Sequence, residues 1–274
     1  MSEVGAAAVA LAISTGAGWA QGAAKPDLQI TGSVAGATNY VFRGFSQSAQ
    51  NPVVQASVDV SYKLFYIGAW GSGIDYGRDP GITWGRDIAH KEIDYYAGVK
   101  PVLGPVTFDL GIIYDSYPGA LDGHGATVYR TIDYYEFKAG ASMTAWKDAT
   151  VGATAFYSPG YTNNTGPVTT LEGAFSQVLP KVGPIVPTFG ATLGYQTGSD
   201  TRYRRLYANN AADNILYWNA GLTLGFGDRL SLDIRYWDTN IKDNNLAGGG
   251  SANFCTGATF RCDDRIVATA KVTF

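Results

Sequence analysis

Three groups of residues carry the types and spacings that could do chemistry. The first is a pair of cysteines, Cys255 and Cys262, with six residues between them. An even cysteine count in an exported chain points to a disulfide, with two free thiols as the alternative. No further Cys or His adjoins them to complete a tetrahedral metal set. The second group is His90 and His124, both in expected loops. Neither is placed to act as base for a strand-borne serine, so no acyl-transfer site is expected. Asp243-Asn244-Asn245 followed by Gly248-Gly249-Gly250 has the composition of a calcium loop but lacks its ligand spacing and closing Glu. No catalytic, cofactor or metal residue is assigned.

The third group is the largest: Arg43, Asp59, Glu92, Asp94, Lys100, Asp109, Glu136, Lys138, Glu172, Asp233, Arg235 and Lys271. Each falls on the polar side of a segment in which polar and apolar residues alternate. Such a set could line a passage and set its preference among ions and solutes. It could equally pair across strands and fill a narrow lumen. Seven of the twelve are acids and five are bases.

The elements that must position these charges are strands. The pattern predicts them over 28–42, 53–62, 65–75, 91–101, 106–115, 133–145, 149–158, 169–179, 185–197, 216–226, 230–238 and 265–274. In the second, Val54, Val58, Val60 and Tyr62 oppose Gln55, Ser57, Asp59 and Ser61; in the eleventh, Leu230, Leu232, Ile234 and Tyr236 oppose Ser231, Asp233 and Arg235. Successive side chains of a strand point to opposite faces, so each strand has an apolar and a polar side. Most of these segments are near the ~10 residues that a tilted strand needs to cross a bilayer.

The links between strands alternate in length. Short ones such as Lys63-Leu64, Trp146-Lys147-Asp148 and Gly227-Asp228-Arg229 are interleaved with long ones at 43–52, 76–90, 116–132, 159–168, 198–215 and 239–264. Short turns at one end and long loops at the other are the layout of an outer-membrane barrel. A soluble barrel would put the apolar face inside. Here the polar face carries charges near strand centres, which a dry core would not tolerate unpaired. Aromatics gather at strand ends: Tyr40, Phe42, Tyr62, Phe65, Tyr114, Tyr135, Trp146, Tyr157, Trp218, Phe226 and Trp237 are expected to form the girdles at the two membrane interfaces.

Composition agrees with this architecture. Charged residues make up only 16% of the 274, and Gly, at 35 residues, exceeds the roughly 7% of an average protein. A net charge of −3 offers no basic surface for nucleic acid. Residues 1–24 contain a short apolar core, Gly5 to Ile13, followed by small residues, and read as a secretory signal peptide, although the n-region lacks Lys and Arg. The barrel then occupies 25–274. The last strand alternates from Ile266 to Phe274, and its terminal aromatic reads as a signal for the barrel-insertion machinery.

Particular motifs resemble a known family. Asn39-Tyr40-Val41-Phe42-Arg43-Gly44-Phe45-Ser46-Gln47-Ser48, Pro52-Val53-Val54-Gln55-Ala56, Tyr66-Ile67-Gly68-Ala69-Trp70-Gly71-Ser72, Glu92-Ile93-Asp94-Tyr95-Tyr96-Ala97-Gly98 and Cys262-Asp263-Asp264-Arg265 are similar to segments of the TorF-type porins of proteobacteria. The resemblance covers nearly all of the mature chain. It implies an outer-membrane barrel with a porin role and brings neither an established substrate nor catalytic residues.

The expectation is therefore an all-β, twelve-stranded antiparallel transmembrane barrel in the bacterial outer membrane. Its partners would be outer-membrane lipid, the insertion machinery and small solutes or ions, with no cofactor. Passive diffusion is the leading role, and a non-conducting structural or receptor barrel acting through its loops is the alternative. Non-reduced peptides of the native protein should show the two-hydrogen mass deficit of a Cys255–Cys262 bond; alkylation of both thiols without reduction would refute it.

Overall fold

Runs in which Val, Ile, Leu or an aromatic alternates with Ser, Thr, Gly or a charge become strands, because only a pleated backbone separates the two sets. The computed structural model describes residues 27–77, 88–120, 132–201, 203, 214–241 and 260–274. The segments 1–24 and 243–250, together with His124 and Cys255, lie outside the described residues. Twelve barrel strands are formed: β1 Leu28–Ala37, β2 Val53–Tyr62, β3 Phe65–Gly73, β4 Lys91–Val99, β5 Val106–Ser116, β6 Tyr134–Trp146, β7 Ala149–Ser158, β8 Val168–Val178, β9 Ile185–Gly198, β10 Asn214–Phe226, β11 Leu230–Thr239 and β12 Arg265–Thr273. Each pairs antiparallel with its chain neighbours. β1 also pairs with β12, Ser33 opposite Thr273 and Ala37 opposite Thr269, which closes the sheet. One further rung continues that seam, with the Gly32 and Phe274 amides each donating to the other residue's carbonyl at 2.9 Å. Among the described residues no helix is long and apolar enough to cross a membrane; the chain crosses with strands.

The outer face is apolar. Ile30, Val54, Ile67, Leu171 and Leu193 all stand exposed on it. The inner face carries the alternate residues, as the sequence pattern requires. The girdle expectation needs correction at Tyr40, Trp237 and Phe42, the last of which packs inside with the hairpin that follows β1. Tyr62, Phe65, Tyr135, Trp146 and Tyr157 are exposed on the outside, and Tyr114 stacks on Tyr135 with ring centroids 4.5 Å apart. Tyr40 and Trp237, however, are buried inside, at 2% and 7% exposure. Tyr40 follows the end of β1 rather than extending it. Trp237 shares the inward parity of Asp233 and Arg235, so its side was already fixed by the two-residue period.

The first strand is also shorter than expected. It stops at Ala37 instead of running to residue 42. The chain then turns inward, and Val41–Phe42 pairs with Phe45–Ser46 as a two-stranded hairpin. Local chemistry explains the break. The Asn39 carboxamide oxygen accepts from the hydroxyls of Ser46 and Ser48, at 2.8 and 3.0 Å, and pulls this segment onto itself. Arg43 and Gly44 have φ of 49° and 87°, the two left-handed residues that a tight hairpin turn needs. Gly44 is also pressed against β10 and β11: a Cβ there would come within 2.3 Å of Thr239 Cγ2 and 3.1 Å of Tyr217 Cβ. Gly44→Val adds strain in φ to that collision and is expected to cost roughly 1–3 kcal/mol. A lowered urea midpoint of the refolded barrel would show it; an unchanged midpoint would mean that the hairpin is not seated as described.

Candidate functional site

The lumen is built from a repeated arrangement of tyrosine, glycine and acid on successive strands. Asp59 of β2 lies opposite Gly68 of β3, and Gly68 lies opposite Tyr96 of β4. The Tyr96 ring lies across the bare glycine, where a Cβ would meet it at 2.5 Å, and its hydroxyl donates to Asp59 at 2.5 Å. The same register recurs across the barrel. Glu172 of β8, Gly194 of β9 and Tyr217 of β10 are aligned, and the Tyr217 hydroxyl reaches over Gly194 to donate to Glu172. A third case runs the opposite way: Tyr66 of β3 covers Gly98 of β4 and donates to Asp109 of β5 at 2.7 Å. Glycine lets the ring lie along the wall, and the ring carries a donor two strands over to a carboxylate. A buried carboxylate without such a donor would be costly.

Three groups of ion pairs occupy the lumen as well. At the long-loop end Arg43 enters from the inward hairpin and grips Glu136 of β6 with two parallel hydrogen bonds, each of 2.8 Å. Its guanidinium also lies over Phe42 and Phe156, at 4.6 and 4.9 Å from the ring centroids. Deeper in, Lys138 donates to Asp109 at 2.7 Å, with Lys100 at 3.9 Å from the same oxygen. On β11, Arg235 takes both oxygens of Asp233, at 3.1 and 2.9 Å, and reaches Asn219 at 2.8 Å.

The structure thus places eleven of the twelve expected charges on inward positions of the wall or its flanking turn and brings Arg43 to them from the hairpin. Of these, Lys271 makes no ion pair among the described residues; it sits opposite Ser231. Glu92 and Asp94 lie at the long-loop end of β4, both buried. The Tyr117 hydroxyl donates to Glu92 at 2.8 Å. Burial and the adjacent Glu92 carboxylate push the Tyr117 phenol well above its ordinary value, so it stays a donor. Two inward residues escaped the sequence reading. Asp115 shares the parity of Asp109 and is the last residue of its expected strand. Arg265 opens β12 and is held by Asp263 at 2.8 Å. Carrying the two-residue count to the terminal residue of each expected strand would have found both. His90 is exposed at the long-loop end. Cys262 is buried, and none of the described cysteines is free.

A closed antiparallel barrel with an apolar outside, two aromatic belts and a charged interior is a transmembrane β-barrel. Within that class, the chain belongs to a bacterial protein family of unknown function, Gcw_chp, whose model matches residues 20–274. No curated protein matches it. Among solved structures it is similar to the KdgM porin, at 8% identity over 89% of this chain and 98% of that one, with a TM-score of 0.52. It is also similar to the KdgM porin in complex with disordered oligogalacturonate, at 8% identity over 90% and 98%, TM-score 0.51. The NanC porin aligns at 11% identity over 88% and 97%, TM-score 0.49. At these identities the KdgM likeness establishes a shared fold.

The Arg43–Glu136 pair is 5% and 2% exposed, so each charge depends on the other. Removing one partner of a buried pair strands the second, at roughly 3–5 kcal/mol. Glu136→Gln should therefore lower the stability of the refolded barrel by about that amount, and the double replacement Arg43→Met with Glu136→Leu should recover most of it. An unaltered unfolding midpoint for Glu136→Gln alone would contradict the burial described.

Proposed function

We propose that the protein is an outer-membrane channel for passive diffusion of small solutes or ions, with its long loops outside the cell and its short turns in the periplasm. The observation that carries this reading is the charged inner wall of a closed twelve-stranded barrel with an apolar exterior. Barrels of about eight strands are filled by side chains and those of about sixteen hold water, so twelve strands suit a narrow passage. The motif resemblance to TorF-type porins supports the same reading. The role is transport rather than catalysis. The exposed Phe274 ring, lying across Gly32 on the outer face, supports its recognition by the insertion machinery.

The charges left over after pairing bear on the cargo. Asp109, Glu136 and Asp233 are matched by bases, whereas among the described residues Glu92, Asp94 and Asp115 are not. One KdgM structure holds oligogalacturonate, a polyanion. The surplus of carboxylate in this lumen disfavours polyanionic cargo and favours neutral or cationic solutes.

A second reading, a non-conducting structural or receptor barrel acting through its extracellular loops, draws support from the inward hairpin, whose Arg43 fills part of the lumen at the loop end. Planar-bilayer recording separates the two. In monovalent salt with a chelator present, the wild type is expected to conduct with a weak cation-over-anion bias at low ionic strength that fades as salt is raised. Glu92→Gln with Asp94→Asn should reduce that bias. Absence of conductance would favour the second reading, and an anion-preferring channel would overturn the charge assignment.

A further inference from the structure

The ion pairs and tyrosine bridges leave one group of lumen side chains unaccounted for. Glu92 and Asp94, two residues apart, share the inward face of β4, and the register sets Asp115 of β5 directly opposite Asp94. One carboxylate oxygen from each of the three lies within 4.8 Å of the other two. The side chains are deeply buried, at 3% exposure for Glu92, 0% for Asp94 and 3% for Asp115. Among the described residues both oxygens of Asp94, Oε2 of Glu92 and Oδ2 of Asp115 have no hydrogen-bond partner, with the Tyr40 and Tyr134 phenols beside the Glu92 and Asp115 carboxylates. Among the described residues no base pairs with any of them; Arg43 directs both of its terminal nitrogens to Glu136.

Like charges directly opposite on neighbouring strands repel, and each buried acceptor left without a donor costs free energy. A shared proton could bridge two of these oxygens, but three carboxylates converge. They are anionic hard donors, the set that takes a hard divalent cation. Their spread also fits: two oxygens on opposite sides of a calcium ion, each at 2.3–2.6 Å, stand up to roughly 5 Å apart. Calcium accepts irregular mixtures of one- and two-oxygen carboxylate contacts, whereas magnesium demands a near-ideal octahedron at shorter distances. Tyr117 donates to Oε1 of Glu92 at 2.8 Å and holds that carboxylate in place.

We propose that Glu92, Asp94 and Asp115 form a calcium site at the long-loop end of the lumen, tying β4 to β5. The site binds its ion whether or not the lumen conducts, so its test is independent of channel activity. The nearby Tyr117 ring provides the readout, because tyrosine sensitises the luminescence of terbium, which replaces calcium in oxygen sites. The folded full-length barrel in detergent, stripped with EDTA, is titrated with terbium and then with calcium or magnesium. The expected result is tyrosine-sensitised emission saturating at a single ion per chain and displaced by calcium at far lower concentration than by magnesium. Asp94→Asn with Asp115→Asn should weaken calcium competition by roughly tenfold or more, as two anionic ligands become neutral. Where that variant does not fold, Glu92→Gln is read instead, with the same direction expected. Failure of calcium to displace any wild-type emission up to about 10 mM, above the range of weak extracellular calcium modules, overturns the site. Unchanged calcium competition in the variants, or equal displacement by magnesium, overturns the assignment to these residues or to calcium.

Discussion

A strand in hydrocarbon has no water to satisfy its amides, and the rest of this structure depends on that constraint. Every N–H and C=O at membrane depth must find a partner within the sheet, so the sheet has to close. Closure fixes each strand's register against two neighbours. Register then fixes which residues look inward, and a one-residue slip would turn the lumen charges into lipid. The inner wall is thus a consequence of backbone hydrogen bonding before it is a consequence of side-chain chemistry.

A lumen of this girth poses its own problem. It is too narrow to hydrate every charge like bulk water, and its inward face carries many. The wall answers with the aligned rows of acid, glycine and tyrosine, Asp59–Gly68–Tyr96 and Glu172–Gly194–Tyr217, and with the bidentate Arg43–Glu136 grip. The unusual glycine and tyrosine content of the chain acquires a physical meaning there. Bare backbone on one strand makes room for a ring from the next, and the phenol supplies the donor that a carboxylate two strands away lacks. The interior is crowded at the loop end, where hairpin, rings and ion pairs meet, and that is the end at which three acids have no base paired to them among the described residues.

Most of the fold was legible in the sequence because a period of two is a strong signal when one face meets lipid. β2 and β7 run over the same residues as their patterns, and the other barrel strands apart from β1 differ by two residues or fewer at either end. What escaped was local or three-dimensional. Asn39 and the serines at 46 and 48 fold a continuous apolar-looking run back on itself, and no periodicity reports that. Arg43 was recognised as a lumen charge, but its partner Glu136 is 93 residues away and pairs with it only because the hairpin dips inward. Glu92 and Asp94 were visible as neighbours on one face. That Asp115 completes a trio depended on the β4–β5 register, which lies beyond an alternation pattern.

The closing seam has a consequence for the order of events in assembly. All eleven other strand pairings join segments adjacent along the chain through a turn or loop. The seam instead unites segments so distant that the Ala268 amide donates to the Thr38 hydroxyl across 230 positions. Pairings between distant segments form late, because chain entropy opposes them until neighbouring hairpins have already shortened the gap. The protein therefore passes through an open, curved sheet with two adhesive edges, and its hazard in transit is joining the edge of another molecule before its own two ends meet.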